Sequence, residues 1–364
     1  MSSETAPARP VVVSQAARAK AGPAFTATAL LLGTWLVIGM YVDAWAHHHL
    51  SIETFFTPWH ALLYSGAAAN FVFLSVAWLN RRRSLPAGYE LSIAGSILFG
   101  IGGFADLIWH AIFGIERDFA AILSPTHLIL MLSAGLIVSG GFRAAWRSGA
   151  AALPFSGAWS LTLVVCVLQF FMQDLQPFIA QWPNPHWLVD HSGLVPSYAA
   201  VRVSEMVGMN NMLLATAVLV GSLLLVMDRF ALRPGQVLLL TALPTTAVVL
   251  TYAPDLVIMV VVLAGIFGEV LRLVLQPSPR RTLQLRIYIV GLTLFLWGVH
   301  VWGLAATDGT TWPIHAEGGV IVVSALGAWL LTYLTFPPLR VSEDSRRQLD
   351  RHMVAWTAAS SDSQ

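Results

Sequence analysis

The stretch AFTATALLLGTWLVIGMYVDAWAHHHLSIETFFTPWHALLYSGAAANFVFLSVAWLNRRR, residues 24–83, decides the fold. It holds two apolar runs, 24–46 and 55–80, and a bilayer takes about 20 apolar residues to cross as a helix. A short polar turn carrying histidines joins them, and Arg81, Arg82 and Arg83 close the second. This is the pattern of a helical membrane hairpin with its charge at one foot. Comparable runs recur at 89–113, 122–146, 153–180, 198–227, 234–252, 255–275, 283–306 and 313–337, so the expectation is an all-α, polytopic membrane bundle of about ten transmembrane helices built from repeated hairpins. Only Tyr252-Ala253-Pro254-Asp255 divides the region 234–275.

Composition agrees. Of 364 residues, 56% are hydrophobic and 11% charged, with mean hydropathy +0.69, too little polar surface to coat a soluble globule of this size. The formal net charge of +1 hides a strong segregation. Arg and Lys gather before the first run (Arg9, Arg18, Lys20), after the second, at the end of the fourth (Arg143, Arg147), after the sixth (Arg229, Arg233), before the ninth (Arg280, Arg281) and after the tenth (Arg340, Arg346, Arg347, Arg351). All these places fall on one side of the expected bundle. The positive-inside rule makes that side cytoplasmic, which puts both termini in the cytoplasm and the hairpin tips outside the cell membrane. Residues 1–23 and 339–364 read as polar cytoplasmic tails around a transmembrane domain at 24–338. The first run lacks a convincing cleavage site and reads as a retained span. Cys166 is the only cysteine, so a disulfide within the chain is excluded and a thiolate cluster is not expected.

The chemistry-bearing residues sit at the expected outer tips, and they repeat. Asp43-x3-His47, Glu53 and Pro58-x-His60 in the hairpin 24–80 match Asp106-x3-His110, Glu116 and Pro125-x-His127 in the hairpin 89–146, with the glutamate ten residues after the aspartate in both. Residues four apart share one helix face, so Asp43 with His47, and Asp106 with His110, can address a single ion or proton. The returning helix adds His60 or His127, and Thr57 and Ser124 are placed to cap it. One Asp, two His and a Glu per hairpin suffice for a three- or four-ligand site, and Cu, Zn, Fe and Mn all suit such ligands. The spacing leaves two mononuclear sites and one dinuclear site equally open. His300 and His315 are weaker candidates to complete the centre, and Asp174 a weaker one still.

The Asp43-x3-His47-x12-His60 spacing resembles the membrane-embedded copper site in the C subunit of particulate methane and ammonia monooxygenases, and Asp106, His110 and His127 resemble that subunit's second, Asn/His/His arrangement with a longer turn. The likeness covers about 85 residues. It implies copper ahead of iron or zinc, an oxidoreductase of the membrane monooxygenase type, and partners in the form of membrane subunits or an electron donor besides the lipid itself. The chain departs from that pattern in its ten spans, in Asp106 where Asn would stand, and in Glu53, Glu116 and the run His47-His48-His49. Two other functions compete: outer-face metal acquisition, transport or sensing without redox chemistry, and a haem-bearing electron-transfer protein. Carboxylates four residues before the histidines argue against haem, and ligands crowded at one edge argue against transport, which uses sites near the midplane. No phosphate loop, nucleophile elbow or dinucleotide fingerprint is present, and no nucleic-acid partner is expected.

Other polar residues have plainer readings. His48 and His49 suit a solvated helix end, Arg202 with Glu205 and Glu269 with Arg272 suit self-neutralising pairs, and Asn210 and Asn211 suit bonds between helices. Met206, Met209 and Met212 suit packing, and Gly102-Gly103 and Gly140-Gly141 suit close helix contact. His186, Asp190 and His191 read as an ordinary polar loop.

Overall fold

The structure is a computed structural model that describes residues 20–50, 54–114, 122–192, 197–252 and 257–337. Among these residues every regular element is helical. They are α1 (Pro23–His49), α2 (Pro58–Asn80), α3 (Glu90–Phe113), α4 (Pro125–Val138), α5 (Gly140–Arg147), α6 (Phe155–Phe171), a 3-10 turn (Gln173–Leu175), α7 (Pro185–Ser192), α8 (Tyr198–Arg229), α9 (Gln236–Tyr252), α10 (Val257–Leu275), α11 (Thr282–Thr307) and α12 (Ile314–Thr335). Seven of them, α1, α2, α3, α8, α10, α11 and α12, are long and apolar enough to cross a membrane, and the bent pair α4–α5 makes an eighth if it is one span.

All ten expected runs are therefore helical, but three differ from simple spans. The run 122–146 bends by 44° where Ser139 separates α4 from α5. Arg143 stabilises that break. Its guanidinium donates to Gly88 O (2.8 Å), Ser92 Oγ (2.9 Å), Leu136 O (3.0 Å) and Ser139 Oγ, while the Ser92 and Ser160 hydroxyls donate to Ile137 O and Val138 O, so the carbonyls opened by the bend are satisfied inside the protein. The run 153–180 keeps α-helix only to Phe171, and α6 and α9 each have 17 residues. Gln169, Gln173 and Gln176 are all buried around the end of α6, and the Gln176 amide donates to Gln169 Oε1.

Neighbours in sequence pack as hairpins: α1 on α2, α3 on α4, α9 on α10 and α11 on α12. α6 stands among α1, α4, α5 and α9. The Tyr41 hydroxyl of α1 donates to Cys166 O (2.8 Å) and the Trp159 indole of α6 donates to Thr34 Oγ1 (2.8 Å), which fixes the first hairpin on this central helix. In the first hairpin a Cβ added at Gly39 would lie 2.7 Å from Leu63 Cα, and one at Gly66 would lie 2.9 Å from Leu36 Cα, so the two backbones touch. Asn70 strengthens the contact by donating to Leu32 O at 2.8 Å. Small residues and interhelical amides are what hold helices together where lipid is as apolar as the core.

The expected bystanders mostly keep their plain roles. Arg272 Nε lies 3.0 Å from Glu269 Oε2, and the other oxygen of Glu269 accepts the backbone N–H of Val237 at 2.8 Å. Arg202 and Glu205 meet at 4.0 Å with the arginine largely exposed. The methionine stripe is split, since Met212 is buried in the core while Met206 is 66% exposed. Asn210 is exposed and the buried Asn211 amide nitrogen lacks a hydrogen-bond partner among the described residues, so the interhelical amide is Asn70 instead.

Candidate metal centre

Each hairpin tip brings one aspartate and two histidines together. At the first, Asp43 sits in the last two turns of α1, His47 follows one turn later, and His60 projects from the first turn of α2. Pro58 opens α2 where its missing N–H has no helical partner, and Thr57 Oγ1 accepts the N–H of His60 at 3.2 Å. At the second, Asp106 and His110 end α3, while Pro125 opens α4 and Ser124 Oγ accepts the N–H of His127 at 3.2 Å. The caps thus fix the starting phase of both returning helices, and with it the direction of both histidines.

The distances repeat as well. His60 Nε2 lies 3.3 Å from Asp43 Oδ1 and His47 Nε2 lies 3.8 Å from Asp43 Oδ2. His110 Nε2 and His127 Nε2 each lie 3.5 Å from an oxygen of Asp106. Within each triplet the ligand atoms lie within 4.8 Å of one another. These separations are long for an N–H···O bond, which prefers about 2.7–3.2 Å. They suit two ligands on one ion: with bonds of about 2.1 Å at tetrahedral angles, neighbouring ligand atoms are about 3.4 Å apart.

The other ring nitrogens decide what the facing ones can be. His60 Nδ1 meets Phe55 O at 2.6 Å and His110 Nδ1 meets Gly114 O at 3.1 Å. A carbonyl only accepts, so each Nδ1 carries a proton, and Nε2 is the atom left to meet the carboxylate or an ion. In both hairpins that nitrogen faces a carboxylate. A neutral ring there would set two acceptors face to face, which a cation between them would hold together, and orientation of a ligating histidine by a backbone carbonyl is the usual outer support of a metal site. His127 Nδ1 is held by Ser124 Oγ at 2.8 Å.

The copies are not equivalent. Asp106 is buried, and Thr126 Oγ1 donates to its Oδ1 at 2.7 Å. The corresponding position in the first hairpin is Trp59, and the buried Asp43 Oδ1 has no hydrogen-bond partner among the described residues. His47 is the most open of the six ligands, with 34% of its side chain accessible. The second set is therefore the more preorganised and the first the more accessible. If Thr126 orients a ligand, Thr126→Val should weaken metal binding at the second set by about 10–100-fold while leaving its stoichiometry unchanged. Titration of purified protein by calorimetry would measure it, and an unchanged affinity would remove Thr126 from the site.

The two sets are neighbours. The Phe55 ring stacks on His60 at 5.0 Å between centroids and lies 6.1 Å from His110, so those two imidazoles are no more than about 11 Å apart. Behind Phe55 stands Tyr64, one turn after His60, whose ring lies against Gly103 of α3, where an added Cβ would collide with it. Phe55 thus borders an imidazole of each set, with Tyr64 beside it.

Other sequence candidates fall elsewhere. Glu53 and Glu116 lie outside the described residues. His300 belongs to neither triplet: it is buried in α11 with its ring 4.7 Å from that of Phe178 and 5.9 Å from that of Trp297. His315 is exposed at the start of α12, again outside both triplets. His48 packs on Tyr252 at 4.1 Å, and His49 stacks on Trp45 with its Nδ1 2.8 Å from Trp45 O. Phe55, Thr126 and Gly114 were not singled out by sequence. Thr126 alone left a trace there, as a hydroxyl residue inside the Pro125-x-His127 motif.

No family model matches the chain, and comparison with curated proteins and with solved structures finds no match either.

Proposed function

We propose that this chain is a multi-pass protein of the cell membrane whose two Asp/His/His sets, Asp43/His47/His60 and Asp106/His110/His127, hold metal ions at the outer face, with copper as the first choice. The observation that carries this reading is the doubled arrangement in which a carbonyl-anchored histidine aims its Nε2 at the aspartate of its own hairpin. On the positive-inside argument both termini are cytoplasmic, and the helices make ten crossings if the bent pair α4–α5 is one span and α6 and α9 cross despite their length.

Function follows from the difference between the sets. The buried, supported second set would act as a resident site, and the first set, open at His47 and bordered by Phe55, would leave its ion the more accessible. A bound copper or iron ion there would supply one-electron chemistry and Lewis acidity. The protein's own residues would position the ion and keep the two sets apart, and the half-exposed His47 edge would admit a small substrate. This supports an oxidoreductase of the membrane monooxygenase type, working with a membrane subunit or electron donor. The exposure of His47 equally favours a second reading, metal capture at the outer face without redox chemistry.

Metal analysis of detergent-purified protein with electron paramagnetic resonance should find close to two ions per chain and a signal with nitrogen hyperfine structure. Turnover of a reductant with dioxygen would separate oxidoreductase from capture. A Soret band would establish haem instead, and metal-free protein that binds none on titration would leave a proton network between the aspartates and histidines.

A further inference from the structure

Away from the histidine sets, a cavity of about 20 Å³ lies among α6, α8, α9, α10 and α11. Its walls are mostly apolar, including Phe178 and Trp297, yet Gln169, Gln176, Thr241 and Thr245 also line it. Two polar atoms there are stranded. Gln176 is 2% exposed and spends its amide N–H on Gln169 Oε1, while its own Oε1 has no partner among the described residues. Thr241 is 4% exposed and its hydroxyl has none either, although a helical threonine ordinarily bonds the carbonyl one turn back. A third group is left short by chemistry. Pro244 lies inside α9 without an N–H, so the carbonyl of Leu240, another lining residue, loses its helical donor.

We infer that this cavity is a binding site for an ordered water molecule that satisfies the proline break of α9. The volume passes the roughly 10–15 Å³ that one water needs, and a bound water requires two to four polar partners. The inventory matches: water can accept from the Thr241 hydroxyl and donate to Gln176 Oε1 and the Leu240 carbonyl. A sodium ion fits less well, because no carboxylate lines the cavity and neutral oxygens amid apolar walls repay little of the cost of desolvating a charge.

The test compares thermal midpoints of the full-length protein in detergent. Thr241→Val keeps the shape and removes the hydroxyl. A bridging water predicts a lower midpoint for Thr241→Val than for Thr241→Ser, which keeps the bond. A dry cavity predicts the reverse order, because valine would relieve an unpartnered buried hydroxyl, and that result overturns the proposal. A wild-type midpoint that rises with sodium but not with choline at equal ionic strength assigns the cavity to a cation and also overturns it. Should the variants fail to fold, radiolytic labelling of the wild type decides: water activated in place oxidises the buried Phe178 and Trp297, whereas a dry cavity leaves them unlabelled.

Discussion

Asp106→Asn should remove one metal ion per chain and remove the tighter one. Asp106 is the only carboxylate in its triplet, it faces two imidazoles at 3.5 Å, and Thr126 already holds one of its oxygens. Asparagine keeps the shape but loses the charge that offsets the ion, and its amide group can turn a donor toward a histidine lone pair. Loss of a direct ligand should weaken binding by more than the roughly 10–100-fold expected of an outer support. Asp43→Asn should remove the weaker ion and leave the tighter in place, since Asp43 lacks the corresponding hydroxyl. His48→Ala, whose ring packs on Tyr252, should retain both. Elemental analysis and titration of the three folded variants make the comparison. Wild-type stoichiometry and affinity in both aspartate variants would sink the metal reading and leave hairpin caps or a proton network.

The largest effect on the fold is expected from Gly39→Leu. A Cβ there already falls 2.7 Å from the Leu63 Cα and 2.9 Å from its nitrogen, and neither backbone atom can rotate away. Overpacking of a well-filled core costs about 1–3 kcal/mol where side chains can adjust, and a backbone clash should exceed that. α1 and α2 must then separate, which carries His60 away from Asp43. The variant should therefore lose thermal stability and the first metal together while the second hairpin keeps its own ion. Gly100→Leu provides the control, because a Cβ at Gly100 meets nothing within 4 Å. Melting curves and metal content of both variants decide the matter, and equal midpoints for the two would show that the hairpins are not held by backbone contact.

Much of the site was legible because helical spacing is a local property. Asp43 with His47, and Asp106 with His110, share a face by their four-residue separation alone. Thr57-Pro58 and Ser124-Pro125 announce helix starts through a hydroxyl that caps and a ring that needs no donor. Both caps stand where they were expected, and both returning histidines meet their aspartates. Apolar runs likewise marked ten helical stretches.

The limits of that legibility also have physical causes. Hydropathy measures how apolar a run is, but not that α6 stops at Phe171 or that Arg143 supports a 44° break at Ser139. Those outcomes depend on partners distant in sequence, Gly88 and Ser92 for Arg143 among them.

By itself the sequence determined the helical class, the apolar runs, the caps and the doubled ligand triplets, since each rests on covalent geometry and on neighbours within one or two turns. Only the tertiary structure decided that the triplets stand side by side, that Phe55 borders an imidazole of each, that Thr126 supports Asp106 while Asp43 goes without, and that His300 packs on Phe178 and Trp297 outside both sets. Each of these is a meeting of side chains brought together by helix packing, where backbone approach at residues such as Gly39 and Gly103 sets the distances and no local pattern records them.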